Sequence, residues 1–321
     1  TVLARAAATG NLRILLATRA ERIATDADGR VIGVDLVGEH DGSRQRRRVL
    51  ADDVVVAAGA VESARLLLAS RSDKEPNGLG NAHDQVGRHL QGHLYGGAIG
   101  IFDDDINDLV GPGPSISTHE FRHGNPGLIG GGMIANEFVP TPVSTFSYLR
   151  HAGLISPHGL PAKQGMRRLL RRMQRVVGPV QEMTSADSRV QLDPTVTDAL
   201  GIPVARLSGQ AHANDLAVQK LMGERAADWL RASGASTVIA YGPSPQTTVS
   251  SGQHQAGTCR MGTDPATSVT DPYGRVWGHP NLRLVDGSLH VTNGGVNPVL
   301  TIFANAFRIM HDWVGTGADY L

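Results

Sequence analysis

Residues 53–68 (DVVVAAGAVESARLLL) constrain the fold more than any other stretch of this chain. Residues 54–57 form an unbroken apolar run, which suits a strand buried on both faces. Ala58, Gly59 and Ala60 permit a tight turn, and residues 62–68 have helical spacing. A strand, a turn of small residues and a helix, in that order, is the unit from which α/β proteins build parallel sheets. Its turn brings backbone amides close to a cofactor's phosphates or ribose. The same unit also serves as a plain structural connection, so it speaks to fold class before function. With 321 residues there is enough chain for one large domain or two ordinary ones. The expected class is mixed α/β, with α+β character where strands and helices no longer alternate.

Taken in order, the chain opens on a helix tail closed by Gly10, followed by a short strand at 11–16 (NLRILL). Strands at 20–25 and 31–37 flank an Asp28-Gly29 turn and read as a hairpin. The arginine-rich stretch 39–48 reads as a solvated loop and strand edge, with a phosphate patch as the alternative. Residues 77–100 are rich in glycine and histidine. There His83, His89 and His93 raise a metal reading that no cysteine or carboxylate supports. Glu120-Phe121 and Glu137-Phe138 suggest alternating strands, and 162–177 (AKQGMRRLLRRMQRVV) a basic amphipathic helix. Further expectations are a strand at 188–192, a turn region at 193–201, strands at 203–207 and 238–241, and a helix at 214–232 closed by Gly234.

Thirty basic and thirty acidic residues balance, which points to neither a nucleic acid nor an anionic membrane as partner. No run approaches the roughly 18 apolar residues of a membrane span. A single cysteine, Cys259, excludes a disulfide framework within the chain and reads as a small packed side chain. Near the C-terminus, His254 lies in a glycine-rich turn, and Asn297 stands just before Pro298 and an apolar helical run. Free N–H groups at that helix start favour an anion or an electron-rich ring. A histidine, with a reference pKa of about 6.5, can take an alcohol's proton, and an asparagine amide can hold the hydroxyl. The plain alternative is a hydrogen-bonded structural histidine and a helix cap.

Residues 254–262 (HQAGTCRMG), 268–288 (SVTDPYGRVWGHPNLRLVDGS) and 297–308 (NPVLTIFANAFR) resemble the C-terminal block of the glucose–methanol–choline (GMC) oxidoreductases. Residues 54–70, 81–93 (NAHDQVGRHLQGH) and 188–207 resemble other segments of that family in the same order. The resemblance implies an FAD-dependent enzyme that oxidises an alcohol, with His254 as base and Asn297 at the second catalytic position. The Asn-Pro pair is most similar to the sugar-oxidising branch that includes pyranose oxidases, so a sugar or glycoside hydroxyl is the implied substrate. It further implies FAD contacts at Ala20 (adenine), Ala58 and Gly59 (ADP moiety), and Asp286 and Gly287 (pyrophosphate or ribityl chain). Thr301 would lie near the isoalloxazine, and Asn297 and Pro298 would also contact the FAD.

The implied architecture is an incomplete FAD-binding Rossmann-like domain, from 1–92 and 251–321, with an antiparallel-sheet substrate domain from 93–250. The family's N-terminal GxGxxG unit is missing from this sequence, because the 130–132 glycines lack the strand–helix context. A GxGxxG-containing chain or fragment, separate or cleaved away, is therefore expected to complete the FAD site. Without it the chain is expected to bind FAD poorly. The competing expectation is a catalytically silent subunit that keeps the fold. Electron acceptor and compartment are left open.

Overall fold

The computed structural model describes residues 2–40, 43–111, 113–137, 139–243 and 253–315. Its elements in chain order are α1 (Val2–Ala8), β1 (Thr18–Thr25), β2 (Val31–His40), β3 (Ser43–Leu50), β4 (Val54–Val56), α2 (Gly59–Ala69) and β5 (Tyr95–Ile101). There follow β6 (Ser117–Thr118), β7 (Ile134–Asn136), α3 (Pro142–His151), α4 (Gly159–Leu169), β8 (Met173–Pro179), β9 (Arg189–Thr197) and β10 (Pro203–Ser208). The last are α5 (Ala213–Ala232), β11 (Thr237–Tyr241), β12 (Leu282–Leu284) and α6 (Val299–Val314). The mixture of helix and sheet is the expected class.

Two bodies of packing matter for function. The first surrounds α2. Strands β4 and β12 pair in parallel, Val54 against Leu282 through Val56 against Leu284. Their inner side chains join Leu67 of α2, Cys259, Leu289 and Ile309 of α6 in one core. The antiparallel sheet β1-β2-β3 and the β9–β10 hairpin pack onto the same core through Ile23, Val31, Val190 and Leu207. The second body is an antiparallel sheet of order β11-β5-β8-β7-β6.

Helix α5 lies on one face of this second sheet. It begins with a capping box in which His212 and Asp215 satisfy each other's end of the first turn. Its apolar stripe of Val218, Met222, Ala226 and Leu230 is buried, each large side chain contributing about 1.5–3 kcal/mol. Close seating needs Gly96 on β5, where a Cβ would fall 2.3 Å from the Gln219 carbonyl oxygen. The opposite face carries Tyr95, Gly97 and Ile99, with Tyr241 opposite Gly97 and Arg175 opposite Ile99. Helices α3 and α4 cover part of that face through Leu149 and Leu169, joined by Ile155 from the loop between them.

Several sequence expectations need correction. Residues 11–16 form no strand; with no pairing partner, Leu12, Ile14 and Leu16 stay exposed. The stretch 39–48, expected as a solvated loop and strand edge, keeps its solvated edge but not its loop: residues 43–50 form a full strand, β3, paired with β2 and exposed along its length. Strand β4 is not buried on both faces, since Val55 is 42% exposed. Glu120–Arg122 is a turn of 3-10 helix rather than a strand, Glu137 lies just past β7, and Phe138 lies outside the described residues. The basic helix ends at Leu169, and 173–177 instead join β8, where Val176 pairs with Ala98. Tertiary pairing overrides the helical pattern there, because β-branched valines fit a central strand. The expected turn at 193–201 shrinks to residues 198–202, because β9 runs on to Thr197.

Candidate active site

His254 is held by its backbone before its ring is considered. It sits at φ +58°, a left-handed conformation uncommon outside glycine, asparagine, aspartate and histidine. Such a conformation persists where the surroundings over-determine it. Asn293 donates from Nδ2 to the His254 carbonyl at 2.7 Å, and Ala256 and Gln91 exchange both backbone hydrogen bonds. The Gln91 side chain in turn accepts from the Asn293 N–H at 2.8 Å. Three segments far apart in sequence, 91–95, 253–257 and 291–294, are thereby tied into one block.

The His254 ring meets two side chains. Its Nδ1 lies 3.0 Å from Nδ1 of His93 and 3.2 Å from the Tyr95 hydroxyl. The two imidazoles are edge-on, with ring centroids 5.0 Å apart. The other His93 nitrogen, Nε2, lies 2.6 Å from the Gly294 carbonyl oxygen. Tyr95 donates to Oε1 of Gln253 at 2.8 Å. Burial lowers the His254 pKa below its ordinary value, so the ring is neutral at pH 7. Burial, with the neighbouring His254, pulls His93 down to about 4, and burial with Glu137 pushes the Tyr95 phenol up to about 12.

The loop carrying Gly294 and Gly295 rests on the antiparallel sheet. Met133 donates to the Gly295 carbonyl at 3.0 Å. A Cβ at Gly295 would stand 2.6 Å from the Gly131 carbonyl oxygen and 2.7 Å from the Gly132 Cα. Gly131 and Gly132 therefore serve a backbone-to-backbone contact. Gly295→Ala is expected to cost about 1–3 kcal/mol of stability, as overpacking does, and to displace the Gly294 carbonyl from His93. Urea unfolding of the protein checks this, and an unchanged midpoint would count against the close approach.

The carboxyl ends of β4 and β12 open onto the turn at Ala58 and Gly59, the side on which parallel sheets bind ligands. Gly59 sits at φ +81°, with no atom within 4 Å of the place its Cβ would take. Its N–H donates to Asp286 at 2.9 Å, and the Ser63 hydroxyl donates to the same oxygen at 2.5 Å. The other Asp286 oxygen accepts the Ser288 N–H at 2.9 Å. Asp286 is therefore a buried anchor locking the two turns together. Gly287 packs against Ile302, one residue after Thr301, so the start of α6 borders the same opening. Ala58 and Thr301 are exposed there.

The remaining predicted residues are placed as follows. Pro298 is buried and caps α6, its carbonyl accepting from Ile302 at 3.0 Å, so the helix proper begins one residue later. Asn297 is exposed and makes no hydrogen bond to His254. Ala20 is half-buried, and its carbonyl accepts a long 3.4 Å bond from Arg65 of α2. Cys259 is buried in the first core, and burial pushes its thiol pKa up. His83, His89 and His93 form no metal-holding group among the described residues. His83 is exposed, His89 is buried, and His93 belongs to His254. Tyr95, Asn293 and Gln91 were missed in the sequence. The only signal that could have found them is their place beside His93 or within the Asn293-Gly294-Gly295 loop.

Comparison with known proteins adds to this geometry. Residues 1–95 and 184–306 match the N-terminal and C-terminal models of the GMC oxidoreductases. A 2-methyl-1,2-propanediol dehydrogenase of Mycolicibacterium austroafricanum is 32% identical, over 90% of this chain and 52% of its own length. A paromamine 6'-oxidase of Streptomyces fradiae is 33% identical, over 95% of the chain and 53% of its own length. The fructose dehydrogenase large subunit of Gluconobacter japonicus is 27% identical, over 88% and 50%. The chain spans about half the length of the curated relatives it matches. In fold it is similar to a pyridoxine 4-oxidase from Mesorbium loti (TM-score 0.59, 16% identity, covering 92% of this chain and 57% of that one). With the motif order and two family matches in agreement, this chain belongs to the GMC oxidoreductase family.

Proposed function

We propose that the protein containing this chain oxidises a CH–OH group of a sugar or glycoside in an FAD-dependent reaction, with His254 accepting the hydroxyl proton. The observation that carries this reading is the His254 ring, whose Nδ1 is engaged by His93 and Tyr95 while Nε2 has no hydrogen-bond partner among the described residues. A neutral histidine with one nitrogen held and one free is arranged as a general base. Asn297 would hold the substrate hydroxyl from the head of α6. The relatives' names (a diol dehydrogenase, a paromamine oxidase, a fructose dehydrogenase) describe proteins acting on hydroxylated small molecules. The Asn-Pro pair supports the branch that includes pyranose oxidases.

The residues present fit FAD at one end. The open space over Gly59, the exposed Ala58 and Thr301, and the anchored turn at Asp286 and Gly287 would hold it, with Ala20 toward the adenine. Bound there, FAD would supply the hydride acceptor that no side chain provides. We assign residues 1–92 and 251–321 to the flavin half and 93–250 to the substrate half. The parallel pair and the antiparallel sheet support this division, although the β9–β10 hairpin packs on the first core.

A GxGxxG-containing chain or segment is proposed as partner. Parallel sheets are ordinarily covered, yet Val55 of β4 and Phe303 and Phe307 of α6 are 42%, 55% and 55% exposed. The relative from Gluconobacter is a large subunit, in keeping with assembly from more than one chain. The test is anaerobic addition of sugars and glycosides to the purified holoenzyme, with loss of the visible flavin absorbance as the expected result. Bound flavin that stays oxidised with every hydroxylated compound would overturn the proposal in favour of a silent subunit.

A further inference from the structure

We infer that His93 is a positioning residue that accepts a hydrogen bond from Nδ1–H of His254 and so fixes the tautomer with its lone pair on Nε2. The inference rests on the reading of His254 as the base. It follows from counting protons along two contacts. The Gly294 carbonyl oxygen can only accept, so the His93 Nε2 at 2.6 Å must carry a proton. A neutral imidazole has one N–H, which leaves His93 Nδ1 with a lone pair. The 3.0 Å contact between the two Nδ1 atoms then has its proton on His254.

Tyr95 agrees with this count. Its single hydroxyl proton goes to Gln253 at 2.8 Å, so its oxygen faces His254 Nδ1 as a second acceptor at 3.2 Å. A doubly protonated His93 would reverse the direction of the bond. Burial, with the neighbouring His254, disfavours that form and holds its pKa at about 4. With Nδ1–H committed, the only basic atom left on His254 is Nε2.

The chemistry resembles the way a carboxylate orients a catalytic histidine, but the orienting group here is neutral. When Nε2 takes a proton, the Nδ1–H bond to His93 becomes charge-assisted and shorter. The His93 ring passes that polarisation to the Gly294 carbonyl. Among the described residues, the titratable groups facing His254 are His93, from the loop before β5, and Tyr95, on β5. Burial alone shifts His254, with no carboxylate contributing. The site therefore forms the imidazolium less readily than one with a buried acid.

The experiment uses the FAD-loaded holoenzyme with 15N-labelled imidazoles. The His254 resonances are assigned from their loss in His254→Ala. The expected result is a protonated-type Nδ1 and an unprotonated-type Nε2. His93→Phe keeps a ring without an acceptor, and His93→Asn offers a carbonyl oxygen near the same point. His93→Phe leaves the Tyr95 oxygen at 3.2 Å as the remaining acceptor, so it is expected to weaken the tautomer preference and lower kcat/KM about 10- to 100-fold, the scale for groups that orient a functional histidine. His93→Asn is expected to restore much of both. An Nε2–H tautomer in the wild type, or one that His93→Phe leaves unchanged, overturns the inference. Unaffected turnover in His254→Ala would instead sink the base reading while the tautomer assignment stands.

Discussion

Replacing His254 in the holoenzyme is expected to lower kcat/KM by about 10²–10⁴-fold, the usual contribution of a positioned general base, with FAD still bound. Two substitutions are needed to read the result cleanly. His254 sits at φ +58°, where an alanine Cβ is strained by roughly 1–2 kcal/mol, so His254→Ala mixes a backbone effect with loss of the ring. Asparagine tolerates that conformation, and His254→Asn removes the base while leaving the turn intact. Both should lose rate alike. Because burial lowers the His254 pKa, the proposed base is neutral, and so able to accept a proton, from high pH down past the ordinary histidine value of 6.5. The wild-type kcat/KM should therefore fall only on the acid side, at a pH below 6.5, and both variants should lack that limb. Wild-type kcat/KM in His254→Asn would show that the proton goes elsewhere.

The largest expected stability effect is at Arg175. Its side chain is 11% exposed and stacks 3.8 Å over the Tyr148 ring. It also donates to the Tyr241 hydroxyl at 2.7 Å and pairs with Glu137, itself 28% exposed. Burial raises the Glu137 pKa, and Arg175 is the group opposing that shift. Arg175→Met keeps the packed stem but strands the carboxylate, which should cost about 3–5 kcal/mol. The double variant Arg175→Met with Glu137→Gln removes both charges and should recover a large share of the loss. Urea unfolding of the holoenzyme measures each. A single variant within about 1 kcal/mol of wild type would mean the pair is effectively solvated. The pair shares a sheet face with Tyr95, so loosening it should also disturb His254.

How much could be read in advance depends on how local each signal is. The strand–turn–helix unit at β4 and α2 was legible because its periodicity and small turn lie within one short stretch. The helix α5 was legible from its stripe and its closing glycine, which sits at φ +90°. The stretch 162–177 was misread because the arginines and valines there satisfy a helical pattern, and only pairing with β5 turns its second half into β8. The exposure of Val55 could not be seen either, since an apolar run does not say which neighbours are present to cover it.

By itself the sequence determined the mixed fold, the family and the position of His254 in its turn, all carried by short motifs whose residues are neighbours along the chain. Only the tertiary structure decided what surrounds that histidine. His93 and His254 are separated by 161 positions and meet at 3.0 Å, and Gly294, 201 positions beyond His93, sets the direction of the bond. Asp286 likewise reaches across 227 positions to the N–H of Gly59, becoming an anchor that ties the two turns together. The physical reason is that hydrogen-bond direction and burial depend on groups brought together by folding. A local pattern can name a base, but its working nitrogen is set by partners the pattern does not contain.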